Sequence, residues 1–206
     1  MTSPAHSPHL PRGIALVAIG ASAGGVEALG TLLAALPQQF PAAVAIVLHI
    51  PPDRASLLPQ LYETRCALPI KEVDDKERIE PGRVYFAAPN YHMLIEPDRS
   101  FSLSCDQAVN HSRPSIDLMM ESAACAYGEH VLGIVLTGAS ADGAQGLATI
   151  RAQGGSAWVQ DPAEARAATM PRAAIELAGA DRVLGLREMS ASLARLPGPP
   201  APVLHQ

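Results

Sequence analysis

The stretch Val17–Leu29, VAIGASAGGVEAL, joins a hydrophobic run to a segment of helical periodicity through a turn of small residues. The apolar run Ile14–Gly20 is short and uninterrupted, which is typical of a strand buried on both faces. After the turn, hydrophobic residues recur at helical spacing over Gly25–Leu36, and Pro37 ends the pattern. The stretch therefore predicts a strand, a tight turn that contains Ser22, and a helix.

The same alternation continues through most of the chain. Further buried strands are predicted at Ala43–Ile50, Val131–Gly138, Ser156–Asp161 and Asp181–Leu186, and further helices at Arg54–Cys66, Ser115–Gly128, within Ala141–Gly155 and at Met170–Ala180. Alternating buried strands and helices favour an α/β fold with a doubly wound, mainly parallel sheet and helices on both faces. The segment Arg83–Ser104 has short strand-like pieces between Pro-Asn and Pro-Asp turns, which predicts a short antiparallel hairpin excursion.

The two ends of the chain differ from the centre in composition. Residues 1–12 are rich in Pro, Ser and His, and residues 191–206 are rich in Pro. We expect a disordered leader and a disordered tail there, with residues 13–190 as one catalytic domain.

Composition narrows the function classes. The formal net charge of −5 gives no basic surface for nucleic acid. No apolar run is long enough to span a bilayer, and the N-terminus lacks a secretory signal, so we expect a cytoplasmic protein that is not membrane-embedded. Cys66, Cys105 and Cys125 lack metal-ligand spacing, and we expect buried free thiols and no metal.

Polar residues follow three of the predicted strands. Ser22 follows the first, His49 ends the second, and Asp142 lies a few residues after Val131–Gly138. In a parallel sheet the carboxyl ends of the strands share one edge, where catalytic groups gather. A Ser/His/Asp hydrolase needs these residue types, because the hydroxyl attacks, the imidazole moves its proton and the carboxylate orients the imidazole.

Each of the three residues also has a structural interpretation. Ser22 and Asp142 are both suited to capping a helix, and His49 to a place in the core with a backbone carbonyl as partner. A dinucleotide-binding turn does not fit, since Ser22 replaces the middle glycine of G-x-G-x-x-G and no acidic residue ends the second strand. The Gly-Lys-Ser/Thr of a P-loop is absent, and the order Ser, His, Asp differs from that of the α/β hydrolases.

Six segments, taken together, resemble the catalytic domain of the chemotaxis protein-glutamate methylesterases. The resemblance spans about residues 13–186 and consists of AIGASAGGVEAL, VLHIPP, GRVYFAAPNYHMLI, SRPSIDLMMESAA, GIVLTGASADGAQG and QDPAEARAATMPRAAI, in the family's order. It implies a doubly wound domain that hydrolyses glutamate γ-methyl esters on the cytoplasmic helices of chemoreceptors, and that in some members deamidates glutamines. It implies no cofactor.

The resemblance also implies roles for individual residues. By position, Ser22 is the nucleophile, His49 the general base and acid, and Asp142 its orienting partner. Backbone N–H groups near Ala23 and Ala139 are expected to hold the oxyanion, and Arg113 to steer the acidic receptor surface. His92 is a further candidate for the cleft, although a place at a strand edge suits it better.

The sequence departs from the family pattern at two points. Typical members have an N-terminal receiver domain, whereas only a short leader precedes the first predicted strand here. We therefore expect a stand-alone esterase that is either constitutive or governed by a separate regulatory protein. The usual TGMG is Thr137-Gly138-Ala139-Ser140. Two alternatives therefore stay open: a catalytically weakened signalling or binding module of the same fold, and a hydrolase of small esters.

Overall fold

The computed structural model describes residues 13–50 and 57–198. The strands in these ranges are β1 (Leu16–Ala21), β2 (Ala43–Leu48), β3 (Ile70–Glu72), β4 (Val84–Phe86), β5 (His92–Ile95), β6 (Phe101–Ser104), β7 (Val131–Val135), β8 (Ser156–Gln160) and β9 (Arg182–Leu184). The helices are α1 (Gly25–Leu33), α2 (Leu58–Glu63), α3 (Ile116–Tyr127), α4 (Ala144–Ala152), α5 (Thr169–Ala178) and α6 (Leu186–Leu193), with one 3-10 turn at Gly128–His130.

Seven strands form one sheet in the order β3-β4-β2-β1-β7-β8-β9, and every neighbouring pair is parallel. β5 and β6 form a separate antiparallel pair. Buried side chains of α1, α2 and α6 pack on one face of the large sheet, and those of α3, α4 and α5 on the other. The predicted fold class, including the hairpin excursion, is confirmed.

The strand order places a crevice at the centre of the sheet. The chain runs from β1 to β2 on one side of β1 and later returns to β7 on its other side. Ligands of doubly wound sheets bind where the order reverses in this way, beyond the carboxyl ends of the strands. The segments that follow β1, β2 and β7 meet there.

One glycine lets a helix approach this crevice closely. A Cβ at Gly20 in β1 would collide with Cγ2 of Ile116, the first residue of α3. The missing side chain brings the N-terminus of α3 against β1. This position of α3 allows its first N–H groups to bind the carboxylate of Asp142.

Several predicted boundaries need correction. Val84–Phe86 was expected in the hairpin excursion, but it is β4 and lies inside the large sheet between β2 and β3. The tail was expected from residue 191, yet α6 continues to Leu193, and both Leu193 and Leu196 are buried. Local sequence missed both features because they depend on packing against distant strands and helices.

Further expectations concern the chain ends, the cysteines and a membrane span. The leader at 1–12 and the end of the tail at 199–206 lie outside the described residues. The three thiols are free, as expected, but Cys105 and Cys125 are exposed rather than buried. In the described ranges, every helix is too short or too polar to cross a bilayer.

Candidate active site

Strand pairing brings the turns after β1 and β2 together. Ala21 pairs with Leu48, so Ser22 and His49 stand one residue beyond a registered pair, on strands about 4.8 Å apart. The His49 N–H donates to the Ala21 carbonyl at 3.0 Å, and the Ser22 N–H donates to the Thr137 carbonyl at 3.0 Å. The backbone of the serine turn is thus joined to both neighbouring strand ends.

The Ser22 side chain does not cap α1. The N-cap of this helix is Gly24, at φ 82°, and no side chain bonds to the helix N-terminus. Ser22 is half-buried, and its hydroxyl has no hydrogen-bond partner among residues 13–50 and 57–198. The interpretation of Ser22 as a helix cap therefore fails, and the hydroxyl is left available for chemistry.

His49 and Asp142 form the central contact of the site. The imidazole Nε2 lies 2.9 Å from Asp142 Oδ2, with the imidazole side chain 14% exposed and the carboxylate completely buried. A carboxylate thus replaces the backbone carbonyl that a core histidine would bond. Since Nε2 is engaged by Asp142, Nδ1 is the ring nitrogen left for a proton exchange with a nucleophile.

The Asp142 carboxylate is held from several directions. Oδ2 also accepts the Ile116 N–H at 2.8 Å, and Oδ1 accepts the Ser115 hydroxyl at 3.0 Å and the Asp117 N–H at 3.1 Å. Burial by itself would raise the pKa of Asp142, but the hydrogen bonds from His49 and these backbone N–H groups lower it to about 2. Asp142 is thus ionised at neutral pH, with its Oδ2 directed at His49 Nε2.

The structural interpretation of Asp142 as a helix cap is partly correct. Its carboxylate binds the N-terminus of α3 rather than that of α4, the helix that follows it in the chain. Ser115 caps α3 in addition, by accepting the Leu118 N–H. Capping and the contact with His49 use the same carboxylate, so the two roles are compatible.

The turns after β1 and β7 contain the two N–H groups that were expected to hold an oxyanion. Within the described part of the chain, those of Ala23 and Ala139 have no hydrogen-bond partner, but neither do those of Gly24 and residues 140–142, so the oxyanion role stays a prediction. The Thr137 hydroxyl donates to the Ala23 carbonyl at 2.8 Å and accepts the Ala167 N–H at 2.9 Å. Thr137 therefore ties the serine turn to the turn after β7, and fixes the peptide plane between Ala23 and Gly24.

Arg113 is bound within the protein. Its Nε and Nη2 donate to Asn90 Oδ1 at 3.1 and 2.7 Å, and Nη1 donates to the carbonyls of Cys105 and Asp106 at 2.8 and 2.9 Å. Arg113 lines the cavity beside His49, but these bonds make it first of all a link between neighbouring loops. Its role towards a receptor stays a prediction.

Two cavities flank the turn at His111. One, of about 300 Å³, is lined by His49, Arg113 and their neighbours, and the other, of about 690 Å³, by Asp142, Ser140 and residues of α5. His92 lines neither cavity: it is completely buried, accepts the Ser115 N–H on Nδ1 and binds the Gln107 carbonyl through Nε2. The alternative that places His92 in the cleft is therefore not supported, whereas the preferred one, a histidine at a strand edge, agrees with its place as the first residue of the two-stranded sheet.

Sequence reasoning missed two polar residues beside the candidate triad. The Asp117 carboxylate accepts the N–H groups of Gly143 and Gly146 at the start of α4, and the Asn110 amide donates to Asp117 Oδ2 at 2.8 Å. From the sequence, Asp117 is an ordinary acidic residue in the first turn of a helix, where such residues are common. Nothing in the sequence indicated that it faces another helix. Among the described residues there is no cluster of three or more metal-ligating side chains.

Comparison with known proteins agrees with this geometry. Residues 17–193 match the family model described as CheB methylesterase. The chain is 47% identical to a curated Leptospira interrogans protein over 180 residues, which are 87% of this chain and 93% of that protein. It is 39% identical over 178 residues to "Protein-glutamate methylesterase/protein-glutamine glutaminase 3" of Burkholderia lata, covering 85% of this chain and 49% of that longer protein.

A solved structure has the same architecture. The crystal structure of the Thermotoga maritima CheB methylesterase catalytic domain superposes with a TM-score of 0.84 at 30% identity, covering 89% of this chain and 98% of that one. Together with the match over residues 17–193, this likeness leads to one conclusion: the chain belongs to the CheB methylesterase family.

Proposed function

We propose that this chain is a serine hydrolase that removes methyl groups from glutamate γ-methyl esters on the cytoplasmic helices of chemoreceptors. The observation that carries the proposal is the 2.9 Å contact between His49 and a buried Asp142, next to a serine turn in a protein of this family. The names of the relatives support the substrate, since they combine glutamate methylesterase with glutamine glutaminase. The reaction would take place in the cytoplasm, where that part of a receptor lies.

The first half of the reaction forms an acyl-enzyme. Ser22 Oγ attacks the ester carbonyl carbon while His49 Nδ1 takes the hydroxyl proton, and Asp142 stabilises the resulting imidazolium. The carbonyl oxygen becomes an oxyanion, held by the N–H groups of Ala23 and Ala139. The C–O bond to the methoxy group then breaks, and His49 returns the proton so that methanol leaves.

The second half repeats the chemistry with water. His49 takes a proton from water, and the hydroxyl attacks the acyl carbon. The bond to Ser22 Oγ breaks, the proton passes from His49 to that oxygen, and a glutamate carboxylate is released. With glutamine as substrate the same steps release ammonia in place of methanol, which accounts for both activities in the relatives' names.

The decisive experiment compares the wild-type chain with Ser22→Ala and Ser22→Thr. Methanol release from a methyl-labelled receptor cytoplasmic fragment measures the reaction, and a fluorophosphonate probe measures covalent labelling of the serine. We expect Ser22→Ala to lose several orders of magnitude in kcat and all labelling, because the nucleophile is gone. Ser22→Thr retains a hydroxyl and serves as the matched control, with activity above that of Ser22→Ala.

Each alternative predicts a distinct result. A weakened signalling or binding module of this fold would bind the receptor but show neither methanol release nor labelling of Ser22. A hydrolase of small esters would be labelled and would cleave a small methyl ester, yet leave the receptor unchanged. Unchanged turnover in Ser22→Ala would contradict the proposed mechanism.

A further inference from the structure

The turn between Val109 and Ser112 presents a side chain to the acidic partner of the triad. Val109 and Ser112 exchange two backbone hydrogen bonds of 3.1 and 2.8 Å, and the two residues between them, Asn110 and His111, both have left-handed backbones at φ 50° and 62°. Asparagine tolerates this conformation better than most residues. Asn110 and His111 are both exposed residues, yet the Asn110 amide still reaches the carboxylate of Asp117 at 2.8 Å.

The Asn110 amide reaches two carboxylates, Asp117 and Asp142. The two carboxylates are arranged reciprocally, because each binds the N-terminus of the helix that contains or follows the other. Asp142 accepts N–H groups from the start of α3, and Asp117, which belongs to α3, accepts those of Gly143 and Gly146 at the start of α4. This reciprocal arrangement brings two buried acidic side chains close together.

Two buried carboxylates close together repel each other, and a hydrogen-bond donor between them offsets part of that repulsion. Nδ2 of Asn110 donates to Asp117 Oδ2 at 2.8 Å and reaches Asp142 Oδ1 at 3.4 Å. Burial raises the pKa of Asp117 to about 6, the backbone N–H of Gly146 opposes that rise, and the Asp142 charge adds to it. The charged or titratable side chains that line this region are, in addition to the two aspartates, His49, His111, Arg113 and Glu176.

We propose that Asn110 is a positioning residue for the hydrolytic reaction, because its amide joins the two carboxylates and keeps Asp142 directed at His49. The inference rests on the proposed function, in which Asp142 orients the imidazole. In this role Asn110 acts through Asp142, whose Oδ1 its amide reaches at 3.4 Å. Its contribution comes from the two N–H bonds of one amide group.

Two substitutions at this position separate the amide's chemistry from its shape. Asn110→Gly removes the side chain and suits the left-handed backbone. Asn110→Asp keeps the shape and also tolerates that backbone, but it replaces the N–H donor with a third carboxylate. Lys76→Gly is the matched control, since Lys76 has φ 63° and is exposed outside the site.

We expect Asn110→Gly to lower kcat for receptor demethylation roughly tenfold or more with little change in KM, through the loss of a hydrogen bond to a charged group. Asn110→Asp should be slower still at pH 8. Its deficit should shrink towards pH 6, because protonation among the three carboxylates restores a donor between them. Lys76→Gly should retain wild-type kcat and pH dependence.

The rate of fluorophosphonate labelling of Ser22 gives a second readout that needs no receptor. Should the wild-type chain be labelled without demethylating receptor, the proposed substrate is wrong, and the labelling rates of the two variants still decide the role of Asn110. Wild-type labelling and pH profile in Asn110→Asp would overturn the inference. If thermal melting shows that Asn110→Asp does not fold, Asn110→Gly decides, and an unchanged labelling rate in that variant overturns the inference as well.

Discussion

Replacing Asp142 with asparagine tests the electrostatic basis of the site. The carboxylate accepts five hydrogen bonds, two on Oδ2 from His49 and Ile116 and three on Oδ1 from Ser115, Asp117 and Asn110. An amide offers one oxygen and one NH₂ group. In either orientation of this amide, the donors that contact one carboxylate oxygen in the wild type would face its NH₂ group instead.

The two orientations allow the cost to be estimated. With NH₂ in the place of Oδ2, the Ile116 N–H loses its acceptor and the bond to His49 Nε2–H is lost. With NH₂ in the place of Oδ1, the Asp117 N–H and the Asn110 amide lose their acceptor. The Ser115 hydroxyl can rotate and accept a hydrogen bond from the new NH₂ group. A buried donor without an acceptor costs about 1–3 kcal/mol, so the free energy of unfolding should fall by roughly 2–6 kcal/mol.

The loss of activity should be larger than the loss of stability suggests. Without its charge, residue 142 no longer stabilises the imidazolium or holds the ring, and the corresponding change in Ser/His/Asp hydrolases lowers kcat about 10⁴-fold. Methanol release under conditions where the variant is folded measures this effect, and urea denaturation measures the stability.

Asp181→Asn is the matched control. Asp181 also accepts a backbone N–H, that of Ala157 at 2.7 Å, but it lies at the amino end of β9, at the sheet edge opposite the site. It should lose stability and keep its kcat. A folded Asp142→Asn variant with kcat within threefold of the wild type would refute the assignment of Asp142 to the triad.

Two further predictions concern stability. The pKa of Asp117 is raised to about 6, whereas an unfolded aspartate titrates near 4, so the folded state holds this proton more tightly. The free energy of unfolding should therefore decrease by at most about 3 kcal/mol as the pH rises from about 4 to 6. Denaturant titrations should show that this pH dependence is lost in Asp117→Asn, and an equal pH dependence in that variant would contradict the prediction. Gly20→Ala should cost about 1–3 kcal/mol in urea denaturation, because its Cβ collides with Ile116. Gly30→Ala in α1, where the added Cβ lies 3.6 Å from Tyr62, should cost nothing, and equal losses in both variants would show that the close approach of α3 is not the cause.

The sequence predicted the central part of the fold and the three triad candidates. Continuous apolar runs such as Ile14–Gly20 are enough to indicate buried parallel strands, since only strands covered on both faces lack polar residues. The short strands β3 and β4 gave no such signal. Three residues carry no periodicity, and their place in the sheet depends on pairing with β2.

The contacts around the triad were decided by the tertiary structure. The sequence contains Asn110 and Asp117, but their roles follow from the crossing of α3 over β1 at Gly20 and from the reciprocal binding of two helix N-termini. Such contacts join residues about thirty positions apart, as Asp117 and Gly146 show. Local sequence specifies which residue types are present and their spacing along the chain, whereas the distances between side chains are set by how strands and helices pack.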